Sequence, residues 1–196
     1  MTTQRRVKEP VSRPGRVTWL LLAYRLPANS GLKSTVRRRL IAVGAVYPVK
    51  AIAVLPESPA AERAFRRLRS MIGEAGGSAQ VLRAEMIEGE PGLVAAFNTA
   101  REQEYAGIIA GCGHIIAGIE AMTSAGRFRH ADLKDKDAAL KGLSARHETI
   151  QAKDWFGAGN ARSAISSLAR CHGVLDAFAN RVNKAGPGSS YGIDRR

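Results

Sequence analysis

Residues 46–59 read VYPVKAIAVLPESP, and the fold turns on how they are parsed. Val46 to Val49 and Ala51 to Leu55 are short runs rich in strand formers with only Lys50 between them, a spacing that fits a hairpin. Pro48 has no N–H to donate, which places the first run at an edge or a bulge, and Pro56 closes the second. Ser58 followed by Pro59 then opens a helix, because the hydroxyl can cap the free N–H groups and the ring suits the first turn.

Working outward, Thr18 to Arg25 holds Trp19 and three consecutive leucines before Pro27 and reads as a buried first strand. Ser30 is the expected cap of a helix whose apolar residues Leu32, Val36, Leu40 and Val43 form one stripe before Gly44. After the hairpin, Ala61, Phe65, Leu68 and Ile72 form the stripe of a second helix that Gly76 and Gly77 end. Gln80, Leu82 and Ala84 alternate with Val81, Arg83 and Glu85 in a fourth strand. The order strand, helix, strand, strand, helix, strand predicts a ferredoxin-like βαββαβ sandwich of the α+β class over residues 17–87.

Beyond Pro91 and Gly92 the pattern becomes helical, and residues 91–183 form a mostly α-helical C-terminal region. Leu93 to about Ala121 is one long helix with Tyr105, Ile108, Cys112, Ile115 and Ile119 at spacings of three and four. Gly107, Gly111, Gly113 and Gly118 weaken it, and close helix packing or a kink is the expected reason. Residues 126–132 read as a connection. A second helix carries Leu140, Leu143, His147 and Ile150 and ends near Trp155 to Gly159, and a third runs from about Asn160 to Val182. Residues 1–16 read as a disordered basic arm and 184–196 as a flexible tail. No stretch reads as a membrane span or a signal peptide, so a cytoplasmic protein with no membrane partner is expected.

Charge separates the two ends of the chain. The formal net charge is +13, and the first fifty residues supply +10 of it, with eleven Lys or Arg against Glu9 alone. A basic field of this kind gathers polyanions and oxyanions, and salt weakens the attraction. Arg37, Arg38 and Arg39 on the first helix and Arg63, Arg66 and Arg67 on the second can form one surface for DNA phosphates; the same pattern also fits a solvated helix surface partly balanced by Glu62 and Glu74. No helix-turn-helix signature is present, and with 6% aromatic residues a base-stacking surface is not expected.

Arg101 lies on an apolar helix, where a lone cation is costly, so it either pairs with Glu104 or Asp154 or meets an oxyanion. Cys112 with His114, and Cys171 with His172, offer soft-metal or redox chemistry, against the alternative that both thiols are core packing. His147 sits at a seam position and reads as a core histidine. Asp132, Asp135 and Asp137 read as helix-start acids rather than a calcium loop. No phosphate loop, HExxH or nucleophile elbow is present, so neither catalysis nor a cofactor is expected.

Three stretches together resemble the N-terminal region of ChrB-type chromate-resistance proteins. They are Trp19-Leu20-Leu21-Leu22 with Arg38-Arg39-Leu40, Gly44-Ala45-Val46 and Ala53-Val54-Leu55-Pro56; Phe97-Asn98-Thr99-Ala100-Arg101 with Glu104-Tyr105; and Asp154-Trp155-Phe156-Gly157. The resemblance implies a cytosolic regulator, expected to be a homodimer, that binds DNA and responds to chromate or a similar oxyanion. Two other readings stand beside it. One is an accessory factor that binds the oxyanion or another protein without touching DNA. The other is a metal-dependent nuclease of related fold, disfavoured because Ala23, Tyr24 and Arg25 occupy the end of the first strand, where the nuclease relatives carry a metal-holding acid.

Overall fold

The computed structural model describes residues 17–28 and 31–185. The basic arm, Ser30 and residues 186–196 of the tail lie outside the described residues; the first helix has Gly31, not the expected Ser30, at its N-cap position and no side-chain cap, and Lys184 and Ala185 belong to the last helix. Among the described residues the fold is α+β, a four-stranded antiparallel sheet with five helices. The chain divides into two compact units at Leu93 and Val94, inside the first turn of a long helix.

The first unit runs β1 (Thr18–Arg25), α1 (Leu32–Ala42), β2 (Val46–Val49), β3 (Ile52–Pro56), α2 (Pro59–Glu74) and β4 (Ser78–Glu85). The sheet order is β2-β3-β1-β4. β1 pairs with β3 from Trp19 opposite Pro56 to Ala23 opposite Ile52, and with β4 from Thr18 opposite Glu85 to Arg25 opposite Ser78. An eight-residue strand paired on both sides is rich in apolar residues on both faces, and Trp19, Leu20 and Leu22 are buried. Trp19 donates its indole N–H to Glu90 Oε1 at 3.0 Å, which satisfies the one polar atom of that side chain.

The hairpin forms, with a bulge between Val46 and Val49, but its turn takes both Lys50 and Ala51, so β3 starts one residue later than the sequence predicts, at Ile52, and includes Pro56 rather than ending before it. Ala51 has φ 67°, a left-handed conformation that costs a residue with a Cβ about 1 kcal/mol or more. Ser58 Oγ accepts the Ala61 N–H at 3.1 Å, and Pro59 starts α2. α2 packs on β1 and β4. It ends through Gly76 at φ 78°, which lets Gly77 donate back to the Ile72 carbonyl at 2.9 Å.

The second unit consists of α3 (Glu90–Ser124) beyond its first turn, α4 (His130–Gln151) and α5 (Ala161–Ala185). α3 begins earlier than its hydropathy suggests because Pro91, in the first turn, needs no hydrogen-bond partner for the N–H it lacks. For a similar reason α4 takes in residues 130–132 of the expected connection: Asp132 in its first turn favours helix at that end. The core gathers Tyr105, Ile108, Cys112 and Ile119 of α3, Leu140 and Ile150 of α4, and Leu168, Cys171, Leu175 and Phe178 of α5.

Three of the α3 glycines leave room for side chains of α4. A Cβ on Gly107 would stand 3.3 Å from Arg146 Nη2, on Gly111 2.8 Å from Leu143 Cδ2, and on Gly118 2.7 Å from Lys136 Nζ. The α3 positions rise as the α4 positions fall, so the two helices run antiparallel with α4 side chains seated in glycine notches. Gly113 faces open space and takes no part. By length and composition α3 is apolar enough to cross a membrane, with an 18-residue window of mean hydropathy 1.4, which corrects the expectation that no such stretch exists. Its large apolar side chains are nonetheless packed in the helical unit, and Ala106, Ala110, Ala117 and Ala121 are on the outside.

Two glycines four positions apart in sequence should respond oppositely to alanine. A Cβ on Gly77 would lie 2.8 Å from the Arg25 carbonyl oxygen and 2.7 Å from Ile72 Cγ2, whereas Gly73 has nothing within 4 Å. Gly77→Ala is expected to destabilise by about 1–3 kcal/mol through overpacking, and Gly73→Ala to stabilise by about 0.5–1 kcal/mol through helix propensity. Denaturant midpoints of the two variants check the contrast.

Candidate functional site

The six arginines expected to meet DNA lie on helices whose apolar stripes are spent on the core. Val36 and Leu40 of α1, and Ala61, Phe65, Leu68 and Ile72 of α2, are buried, which leaves Arg37, Arg38, Arg39, Arg63, Arg66 and Arg67 exposed. A groove of about 450 Å³ brings Arg39 of α1 beside Arg66, Arg67, Ser70, Met71 and Glu74 of α2. Arg38 and Arg63 do not line it. Arg37 acts on the surroundings of Tyr47, whose hydroxyl is held well above its ordinary pKa by burial and by Tyr24, with Arg37 opposing. Arg66 is held by Glu62, which accepts from Nε at 2.9 Å and Nη2 at 2.6 Å.

A second groove of about 530 Å³ lies between α2 and β4, where Arg66, Arg69 and Arg83 line it with Glu62 and residues 79–82. Arg83 is bridged to Glu57. Sequence reasoning did not count Arg83 as a site residue. Strand alternation puts it on the same side as Val81, but only the position of α2 shows that this side meets the arginines of the helix. Exposed guanidinium groups on two grooves can hold phosphates and position a polyanion. They form no sheltered pocket that reads a base.

The second unit holds a different kind of charge. Arg101 is 3% exposed, and Lys153 is also buried. Both reach Glu104: Arg101 Nε lies 3.1 Å from Oε2 and Lys153 Nζ 2.8 Å from Oε1. Asp154 is engaged elsewhere. Its Oδ1 accepts the backbone N–H groups of Gly157 and Ala158 at 3.0 Å, and its Oδ2 accepts the Tyr105 hydroxyl at 3.2 Å. Glu104 is thus one of the two structural partners expected for Arg101, and it meets it. Trp155 and Phe156 place their rings 5.6 Å from that of Phe97. Gly159 N–H and Asn160 Nδ2 donate to Glu102. The segment after α4 is thus clasped to α3 by charge, hydrogen bonds and aromatic contact. Lys153 was missed because 49 residues separate it from Glu104.

Neither cysteine stands with its neighbouring histidine. Cys112 and Cys171 are buried free thiols, while His114 and His172 are exposed. The two thiols instead meet each other across α3 and α5. Burial, with the Cys171 sulfur beside it, pushes Cys112 up to about 11, and burial also raises Cys171. Burial disfavours the thiolate form of both, which favours packing over metal or redox chemistry. His147 is buried with its ring 5.7 Å from that of Tyr105. Asp132 is bound by Arg127 and Arg129 at 3.1 Å, and Asp137 by Lys141 at 2.7 Å. Among the described residues, no group of three or more His, Cys, Asp or Glu is placed to hold a metal ion.

Two outcomes are expected from this geometry. Glu104→Ala leaves two buried cations without their carboxylate and should destabilise by about 3 kcal/mol or more, measured by chemical denaturation, whereas Glu62→Ala on the surface should cost under about 1 kcal/mol. Burial and the Asp154 carboxylate push Tyr105 up to about 12 from 10.0, and Cys112 rises from 9.0 to about 11. Both folded values exceed the unfolded ones, so the folded state binds more protons and stability falls as pH rises from about 9 to about 12. Tyr105→Phe should remove the upper part of that loss in denaturation curves taken at stepwise pH.

The family model described as Protein ChrB, N-terminal, matches residues 33–188, which takes in nearly all of α1 and the whole of α2 to α5 and leaves β1 ahead of the match. A search of curated proteins returned no match. A match over most of the chain, spanning both units, places the protein in the ChrB family and so connects it with chromate resistance.

Proposed function

We propose that this protein is a chromate-responsive transcriptional regulator of chromate-resistance genes that binds DNA through its basic N-terminal half. The observation that carries this reading is the groove in which Arg39 of α1 meets Arg66 and Arg67 of α2. Two helices contribute guanidinium groups to one exposed surface, an arrangement suited to consecutive phosphates. Family membership supplies the chromate link. We read the order β2-β3-β1-β4, reached through β1-α1-β2-β3-α2-β4, as a ferredoxin-like sandwich. The working form in this reading is a cytoplasmic homodimer, with chromate or a similar oxyanion as effector. Because Arg101 is tied to Glu104, its contribution in this reading is to the clasp rather than to the effector.

A second reading, an accessory factor that binds another protein instead of DNA, draws support from the exposed apolar residues Leu82 and Ile87. The nuclease reading gains nothing from β1, which ends in Ala23, Tyr24 and Arg25.

Binding to the gene's own upstream duplex and to an unrelated duplex of equal length, followed by fluorescence anisotropy at several salt concentrations, tests the proposal. Preferential binding that chromate weakens is expected. Arg39→Ala, Arg66→Ala and Arg67→Ala together should reduce the slope of log K against log salt by about 2.7, near 0.9 for each phosphate that is no longer neutralised. Equal binding to both duplexes, or an unchanged slope in the folded variant, overturns it.

A further inference from the structure

The sheet has two outer strands, and they are unlike. β2 has four residues, a bulge and Pro48, features that blunt an edge against pairing. β4 has eight residues in unbroken register with β1, contains no proline, and among the described residues pairs with nothing on its other side. Leu82, at the middle of β4, is 45% exposed, and Ile87 just beyond it is 91% exposed. Such a strand presents a row of unpaired N–H and C=O groups beside apolar surface.

Charge on either side of the strand narrows the choice of partner. Residues 79, 81, 83 and 85 share the face that meets α2, where Arg66 and Arg69 line the groove beside residues 79–83. Among the described residues neither Arg69 nor Glu85 has an ion-pair partner. Arg69 stands at the Ala79 end of the groove, one helical turn before Ile72, which Gly77 touches. Glu85 is at the opposite end of the strand. An antiparallel second copy reverses the ends and carries a carboxylate to each unpartnered arginine.

We propose that β4 is a homodimer interface in which two copies of β4 pair antiparallel and join the two sheets into one. A two-fold axis perpendicular to a sheet preserves the face of each residue, so the symmetric register centres on a residue rather than between two. Centred on Leu82, it sets Leu82 against the partner copy's own leucine on the face away from α2 and buries the exposed side chain. On the α2 face it sets Ala79 opposite the second copy's glutamate, beside Arg69, and Val81 opposite the second copy's arginine at position 83. The outward backbone groups of β4 gain partners by the same step. This deepens the homodimer of the preceding reading, on which it rests, by assigning its surface, and it uses none of the six arginines proposed for DNA except that Arg66 borders the same groove.

Sedimentation equilibrium of the full chain, with DNA binding recorded on the same samples, tests the interface. Arg69→Glu and Glu85→Arg should each weaken self-association roughly ten-fold, as opposed charges become like charges at two symmetric sites, and the double variant should recover most of it. Leu82→Cys should give a disulfide-linked dimer under mild oxidation, since Cys112 and Cys171 are buried, while Ile41→Cys on the exposed side of α1 should not. A monomeric chain at tens of micromolar overturns the interface and the dimer together. A dimer indifferent to both charge reversals and not linked through Leu82→Cys overturns the interface alone. Loss of DNA binding in an intact dimer counts against the regulator reading and leaves the interface standing.

Discussion

Everything in the first unit depends on β1 being paired along both sides. β3 and β4 each hydrogen-bond to it, and β2 is attached only through β3. An eight-residue strand in that position leaves few backbone groups to water, so its side chains must supply packing on two faces. Trp19, Leu20 and Leu22 do so, and α2 lies on β1 and β4 because that is where the apolar surface is. The arginines of α1 and α2 are on the outside as a result: once the stripe of each helix is committed to the sheet, the remaining positions face solvent, and their charges gather in the grooves beside the helices.

The second unit solves a different problem, that of packing three long helices with few large side chains on the outside. Gly107, Gly111 and Gly118 leave room for Arg146, Leu143 and Lys136 of α4, and at Gly111 the branched Leu143 side chain fills the space a Cβ would take. Glu104 then ties Arg101 and Lys153 together, and Asp154 turns the chain toward α5. A buried carboxylate shared by two cations adds little net stability compared with apolar packing, but it is costly to break, so it favours one arrangement over its neighbours.

Much of this was legible in the sequence. The bounds of β1, the hairpin after α1, and the cap at Ser58 follow from local chemistry, since strand formers, Pro48, Pro56 and the Ser-Pro pair act within a few residues of themselves. The stripe of α2 is equally plain, because side chains four residues apart share a face whatever lies across from them. Contacts between helices were harder to see. That Cys112 and His114 do not share a face was legible, since positions two apart on a helix point in different directions, but the true neighbour of Cys112, Cys171, is set by the rotation of α5. Lys153 beside Glu104 and Arg83 beside α2 belong to the same class: each depends on which face a distant element covers. The start of α3 was misplaced for a local reason, since Pro91 and Gly92 look like punctuation but stand where a helix tolerates them.

The sequence contains two tryptophans, and the structure puts one in each unit. Trp19 is buried in the sheet with its N–H on a carboxylate, and Trp155 lies edge-on to Phe97 beside the clasp that closes the helical unit. Each unit therefore contains its own optical reporter. With one indole replaced at a time, the melting of the sheet and the loosening of the helices become separate signals from the same chain, without any added label.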